Sequence, residues 1–95
     1  MKLVWLGRAL RERDSQLDYI AQHKPRAAIA QGERIQKQVQ DLCAYPELGR
    51  PGRVHGTREL LINGTPFILV YRINPAAGRI EILRLLHGAQ QWPPV

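Results

Sequence analysis

Ninety-five residues, 44% hydrophobic and 23% charged, suit one compact domain spanning 1–95 and are too apolar for a disordered chain. A net charge of +6, with a pI near 10.3, points either to a polyanionic partner, nucleic acid or an acidic protein, or to a merely solvated basic surface. No window approaches the roughly 18 apolar residues of a membrane span, Met1–Leu6 is too short for the apolar core of a secretory signal, and the single Cys43 excludes an internal disulfide. The expectation is a cytoplasmic chain with no membrane partner.

Lys2–Leu6 is a short apolar run that reads as an edge strand. A helical pattern begins near Arg8, with Leu10, Leu17, Ile20 and Ala21 roughly on one face, and stops near His23 because Pro25 disfavours the helical conformation of Lys24. Pro25 is well placed to open a second helix. Its apolar stripe runs Ala28, Ile29, Gly32, Ile35, Val39 and Leu42, with Gly32 expected to let the first helix approach closely. The two helices form an antiparallel hairpin able to cover one face of a small sheet. Residues 45–56, with two Pro and three Gly, read as a connecting loop.

Three runs rich in Ile, Leu and Val follow: 59–62, 67–73 and 80–86. Asn63-Gly64 joins the first two as a two-residue type I′ turn, which places Leu60 opposite Phe67 and Arg58 opposite Leu69. Residues 75–78 close the second hairpin, with Asn74 opposite Arg79, Arg72 opposite Glu81 and Leu69 opposite Arg84. Alternation then puts Arg58, Leu60, Ile62, Phe67, Leu69, Tyr71, Ile73, Ile80, Ile82, Arg84 and Leu86 on one face. Glu59, Leu61, Ile68, Val70, Arg72, Glu81, Leu83, Leu85 and His87 take the other. Both faces are apolar, and the helices shelter only one. The order β-α-α-β-β-β gives an α+β domain, a helical hairpin packed on one face of a mainly antiparallel sheet.

Tyr19-Ile20-Ala21, Pro46-Glu47-Leu48-Gly49-Arg50, Gly56-Thr57-Arg58-Glu59-Leu60, Val70-Tyr71-Arg72 and Ile82-Leu83-Arg84-Leu85-Leu86-His87-Gly88, in this order, closely resemble the RelE/ParE superfamily over essentially the whole chain. These are toxin subunits of bacterial type II toxin–antitoxin modules, some of them labelled plasmid stabilisation proteins. The resemblance implies a βααβββ fold and a cognate antitoxin that wraps and neutralises the toxin. It implies no cofactor. The face carrying Leu61, Ile68, Val70, Leu83 and Leu85 is the expected antitoxin site, and its exposure predicts poor solubility alone.

Two activities occur in the superfamily. RelE-like members cleave mRNA in the ribosome, which requires a base, a proton donor and cations around phosphorus; ParE-like members poison DNA gyrase. For cleavage His87 is the acid/base candidate, with Arg84 and Arg72 as cations. The alternatives are a strand-end histidine fixing the chain turn, a cross-strand Arg72–Glu81 ion pair, and ion pairs of Arg58 and Arg84 with helix carboxylates. Arg50, Arg53, His55, Arg58 and Trp92 are candidates for contact with the target or a polyanion. The three His and one Cys have no metal-ligand spacing. RelE-like nucleases carry Lys and Arg on the first two strands of the three-stranded region, but here those positions read Leu60-Leu61-Ile62 and Phe67-Ile68-Leu69. The ParE-like branch is therefore favoured, with gyrase as target. Ribosome-dependent mRNA cleavage is the alternative, and a non-toxic basic binding domain the third possibility.

Overall fold

The computed structural model describes residues 1–88 and 90–94. Its elements are β1 (Lys2–Trp5), α1 (Gly7–His23), α2 (Pro25–Ala44), β2 (Arg50–Pro51), β3 (Arg58–Leu61), β4 (Phe67–Asn74) and β5 (Arg79–His87). They form one sheet of order β1-β5-β4-β3-β2, in which β1 runs parallel to β5 and every other pairing is antiparallel. No described helix is long and apolar enough to cross a membrane.

The helix boundaries follow the proline logic. Lys24 ends α1, its N–H bonding the Ile20 carbonyl, and Pro25 opens α2 where its missing N–H costs nothing. Ala28, Ile35, Val39 and Leu42 of α2 are buried as their spacing predicts, whereas Ile29 is 63% exposed. Gly32 is not a forced close approach, because an added Cβ would meet Leu17 only at an ordinary 3.5 Å. In α1, Leu10 points outward and Ala9 is the residue fully buried. The core joins these helices to Ile62, Phe67, Leu69, Tyr71, Ile80 and Ile82 of the sheet side.

Three local expectations are corrected. The Arg50–Pro51 segment, read as loop, forms a two-residue edge strand beside Arg58 and Glu59. The hairpin at Asn63-Gly64 is not a two-residue type I′ loop. Only Gly64 has positive φ (+77°), Thr65 N–H bonds the Ile62 carbonyl, and Ile62 N–H bonds Phe67. That is the φ pattern of a type II turn inside a four-residue loop. Leu60 therefore pairs with Leu69 and Arg58 with Tyr71. The slip is two residues, so the faces of β3 are unchanged.

The third correction moves side chains to the opposite face. Asn74–Arg79 and Arg72–Glu81 pair as expected, but Leu83 is an extra residue. Tyr71 pairs with Ile82, and Val70 with Arg84. Beyond this β-bulge the alternation of β5 inverts relative to β4. Leu85 joins the helix-side core and His87 stands opposite Phe67, while Leu86 and Arg84 move to the second face. The bulge lies where β1 stops, since β1 accompanies β5 only from Arg79 to Ile82. Past that point α1 serves the vacated edge. Leu85 N–H donates to Glu12 Oε1 (3.2 Å) and the Leu85 carbonyl accepts from Gln16 Nε2 (2.9 Å), so the backbone groups lacking a strand partner are met by helix side chains.

The face assignment can be checked by stability. Leu85→Ala is expected to cost about 2–5 kcal/mol in denaturant unfolding as a core cavity, whereas Leu61→Ala stays within about 0.5 kcal/mol. Equal costs at the two positions would contradict the inverted register.

Candidate functional site

The second sheet face is built in three rows. One row holds Val4, Glu81 and Arg72, the next Arg84, Val70, Glu59 and Arg50, and the third Leu86, Ile68 and Leu61. The expectation of a bare apolar face is overturned in most of this area. Val70 and Leu86 are fully buried, and Leu61 at 61% is the large apolar sheet residue left exposed, with Ile68 half-buried opposite it and Leu83 half-buried at the bulge. Of the expected antitoxin set, Leu85 belongs to the opposite face through the bulge and Val70 is sealed. Leu61, Ile68 and Leu83 remain accessible.

Charge does much of the sealing. Glu59 is 2% exposed and Glu81 is 1% exposed, each between two arginines. Glu59 accepts from Arg53 Nε, Nη2 and backbone N–H (2.8–3.2 Å) and from Arg50 Nη2 at 3.3 Å. Glu81 accepts from Arg72 Nε and from Arg79 Nε at 2.6 Å. Burial pushes the Glu59 carboxyl upward, but the side-chain and backbone donors of Arg53, with Arg50, prevail and hold it below the usual carboxylate range. The hydrogen bonds from Arg72 and then Arg79 lower the Glu81 carboxyl in the same sense. These four arginines keep exposed flanks while their carboxylate-facing donors are occupied.

The loop before β3 is held by a second set of bonds. Tyr71, buried in the core, donates its hydroxyl hydrogen to the Pro46 carbonyl and accepts from Gly49 N–H, both at 2.8 Å. Burial, the larger influence, raises the phenol above its ordinary value despite the Gly49 N–H. Arg58 Nη1 donates to the Gly49 carbonyl at 2.7 Å. A Cβ on Gly49 would lie 2.7 Å from the Tyr71 ring and 2.9 Å from the Glu59 carbonyl, so only glycine fits. The Pro46–Arg50, Thr57–Leu60 and Val70–Arg72 motifs thus meet in space as a latch: tyrosine pins the loop, glycine admits the tyrosine, and Glu59 gathers Arg50 and Arg53.

The candidate catalytic residues are dispersed. His87 stands edge-on to Phe67, 6.3 Å between ring centroids, and lines a helix-side cleft of about 590 Å³ with Tyr19, Lys24, Gln31 and Pro66. It is not on the second face as its strand position implied, because the bulge turns it over. Arg84 is 4% exposed; Nε and Nη2 grip Glu12 of α1 at 2.8–3.0 Å and its guanidinium carbon lies 5.0 Å from the Trp92 ring centre. Arg84 does pair with a helix carboxylate, but with Glu12 rather than the expected Asp14, Asp18 or Glu33. Arg58 bonds a loop carbonyl instead of a helix carboxylate. Arg72 sits five residues from Phe67 along β4, roughly 16 Å at strand rise. Of the target candidates, Arg50, Arg53 and His55 are exposed, Arg58 is half-buried, and Trp92 is half-buried against Arg84. Glu12, Gln16, Gly49 and Tyr71 carry structural roles that composition and periodicity do not single out.

Both buried glutamates have folded pKa values below the ordinary 4.5, so their stabilisation is full above that value and is lost as pH falls through the depressed folded values. Acid unfolding followed by fluorescence should therefore begin below about pH 4.5. Glu59→Gln and Glu81→Gln should each lower stability at neutral pH while flattening the acid limb. Tyr71→Phe, which orphans Gly49 N–H and the Pro46 carbonyl, should cost about 1–3 kcal/mol in the same measurement.

Residues 3–92 match the family model described as the ParE toxin of the type II toxin–antitoxin system parDE. The chain is 43% identical over 94 residues to "Putative toxin Y4kP" of Sinorhizobium fredii, covering 99% of this chain and 95% of the relative. Among solved structures it superposes on a chain of the chromosomal ParDE TA system from P. aeruginosa with a TM-score of 0.80 and 30% identity, covering 92% of this chain and 95% of that one. A chain of the RelBE2 toxin–antitoxin complex from Mycobacterium tuberculosis is similar at a TM-score of 0.62 and 25% identity, over 94% and 92% of the two chains. The βααβββ fold, the latch motifs and these matches agree: the chain belongs to the ParE toxin family of type II toxin–antitoxin systems, within the RelE/ParE superfamily.

Proposed function

We propose that this toxin arrests growth by poisoning DNA gyrase and is neutralised by a cognate antitoxin. The observation that favours gyrase over mRNA cleavage is the dispersal of His87, Arg84 and Arg72. A phosphoryl transition state needs cations converging on the reacting oxygens. Here the imidazole lies on the helix side, the Arg84 guanidinium is engaged by Glu12 beside Trp92, and Arg72 is engaged by Glu81 far along the strand. Ile68 also stands where a nuclease would present a cation. A chain arranged in this way binds its target rather than cleaving it.

For the antitoxin, the proposed surface is the shallow groove of about 400 Å³ that Leu48, Leu60, Leu61 and Ile68 line beside Asn63. Leu48 and Leu61 are both at least half exposed, an apolar pair that a partner's amphipathic segment would cover. Arg50 on β2 and Arg53 and His55 in the loop that follows are exposed, and they are the proposed contacts to the target. Arg58 and Trp92 act through the fold instead.

Induced expression tests the reading. Gyrase-linked DNA breaks and an SOS response with translation intact are the expected outcome, and His87→Ala should inhibit growth as strongly as the parent. Codon-proximal mRNA cleavage that disappears in His87→Ala would instead establish the ribonuclease. Unaffected growth in a host lacking the antitoxin gene would leave a non-toxic binding domain. Leu61→Asp should weaken antitoxin capture by at least about tenfold if that leucine is a buried anchor of the interface.

A further inference from the structure

The tip of the β3–β4 hairpin carries the dipeptide Asn63-Gly64, and both residues are exposed. Gly64 is held to glycine by its backbone: its φ of +77° lies in the left-handed region, where a side chain is strained. The guanidinium of Arg34, reaching over from α2, packs into the space that a Cβ would take. The fold therefore keeps an asparagine followed by the least hindered residue, the pairing most open to attack by a backbone nitrogen on the preceding side chain.

We propose that Asn63 is a deamidation site whose rate is governed by a clamp from α2. In the reaction the Gly64 nitrogen forms a bond to Asn63 Cγ. The Cγ–Nδ2 bond breaks, and the amide leaves as ammonia with the proton from Gly64 N–H. Water then opens the five-membered imide at either carbonyl, leaving aspartate or its iso-aspartyl isomer, with no oxidant or reductant involved. To start, the Gly64 nitrogen must swing towards Cγ, and the clamp opposes that motion. Asn63 N–H donates to Gln38 Oε1 at 2.9 Å, Gln38 Nε2 donates to the Asn63 carbonyl at 3.4 Å, and Arg34 Nη1 donates to the Gly64 carbonyl at 3.1 Å. Thr65 N–H, bonded to the Ile62 carbonyl, closes the turn. With the peptide units on both sides of Gly64 tied to one helix, reaction proceeds from the locally opened hairpin, and the opening equilibrium sets the rate.

The consequence falls on the groove proposed for the antitoxin, although the chemistry does not rest on that reading. Asn63 lines that groove with Leu61 and Ile68. Either product places a carboxylate beside Arg34, and the iso-aspartyl form adds a backbone methylene between the strands that present Leu61 and Ile68. Unpartnered toxin would thus alter, with age, the surface it offers.

The test is incubation of the purified chain at mildly alkaline pH, with the peptide carrying residue 63 followed by its mass gain of about one dalton and by iso-aspartyl detection. Asn74, the other asparagine in the chain, precedes Pro75 and has no following N–H, so it serves as an internal control. Removing the clamp bonds in Arg34→Ala with Gln38→Ala should accelerate the change about tenfold, with each single variant in between. Asn63→Gln should abolish it. Strand amide exchange at Ile62 and Val70 reports that the sheet remains paired in the variants. Equal rates with and without the clamp, or no conversion at residue 63 in the double variant, would overturn the proposal. Loss of antitoxin capture by Leu61→Asp would leave these rates unchanged, so this outcome and the docking outcome are separable.

Discussion

One inserted residue, Leu83, decides what each side of this sheet presents. A strand of period two has no tolerance for an odd insertion, and the bulge exchanges the faces of everything that follows it in β5. It sends Leu85 inward to close the core and turns His87 to the helix side. It also brings Arg84 to a place from which its guanidinium reaches Glu12. The same glutamate receives the Leu85 N–H, so the edge that β1 leaves uncovered is closed by α1 at the point where the strand changes phase. The position of α1 and the dispersal of the polar residues both follow from that arrangement.

The second face shows how a small sheet with apolar residues on both sides persists with a single helical layer. Among the described residues there is no second layer of helix. The chain covers the middle of the face with guanidinium groups whose stems are apolar and whose heads are tied to buried carboxylates. Such clusters contribute little to net stability by themselves, since desolvating the ions offsets their attraction. Val70, between Glu59 and Arg84 in the sheet, is fully buried, while the arginines keep exposed flanks. What stays most open is the Leu48–Leu61–Ile68 corner, with Leu83 half-buried at the bulge.

Much of the architecture was legible in the residues. Pro25 marked the helix break, the β-rich runs marked β3 to β5, and the turn at 75–78 set the Arg72–Glu81 pairing correctly. The Asn63-Gly64 turn misled in type, because Arg34 and Gln38 from a distant helix favour a longer loop over the tight one that local preference selects. Arg50–Pro51 escaped notice since two residues carry no periodic signal. The bulge was invisible for a related reason: around it β5 reads Ile82-Leu83-Arg84-Leu85-Leu86, with adjacent apolar residues on both sides of Arg84, so inward and outward residues read alike. The site residues inherited that blindness. Regular alternation puts Arg84 and His87 on the wrong faces, because the strand gains one residue after Ile82.

The two margins of the sheet are unequal. At one, β2 is only two residues long and contains Pro51, which has no N–H to offer, so hydrogen bonding ends there by construction. At the other, β1 runs for four residues with neither proline nor bulge along its outer side. The ribbon therefore has one border closed off by its own proline and one, four residues long, whose sequence carries no such stop.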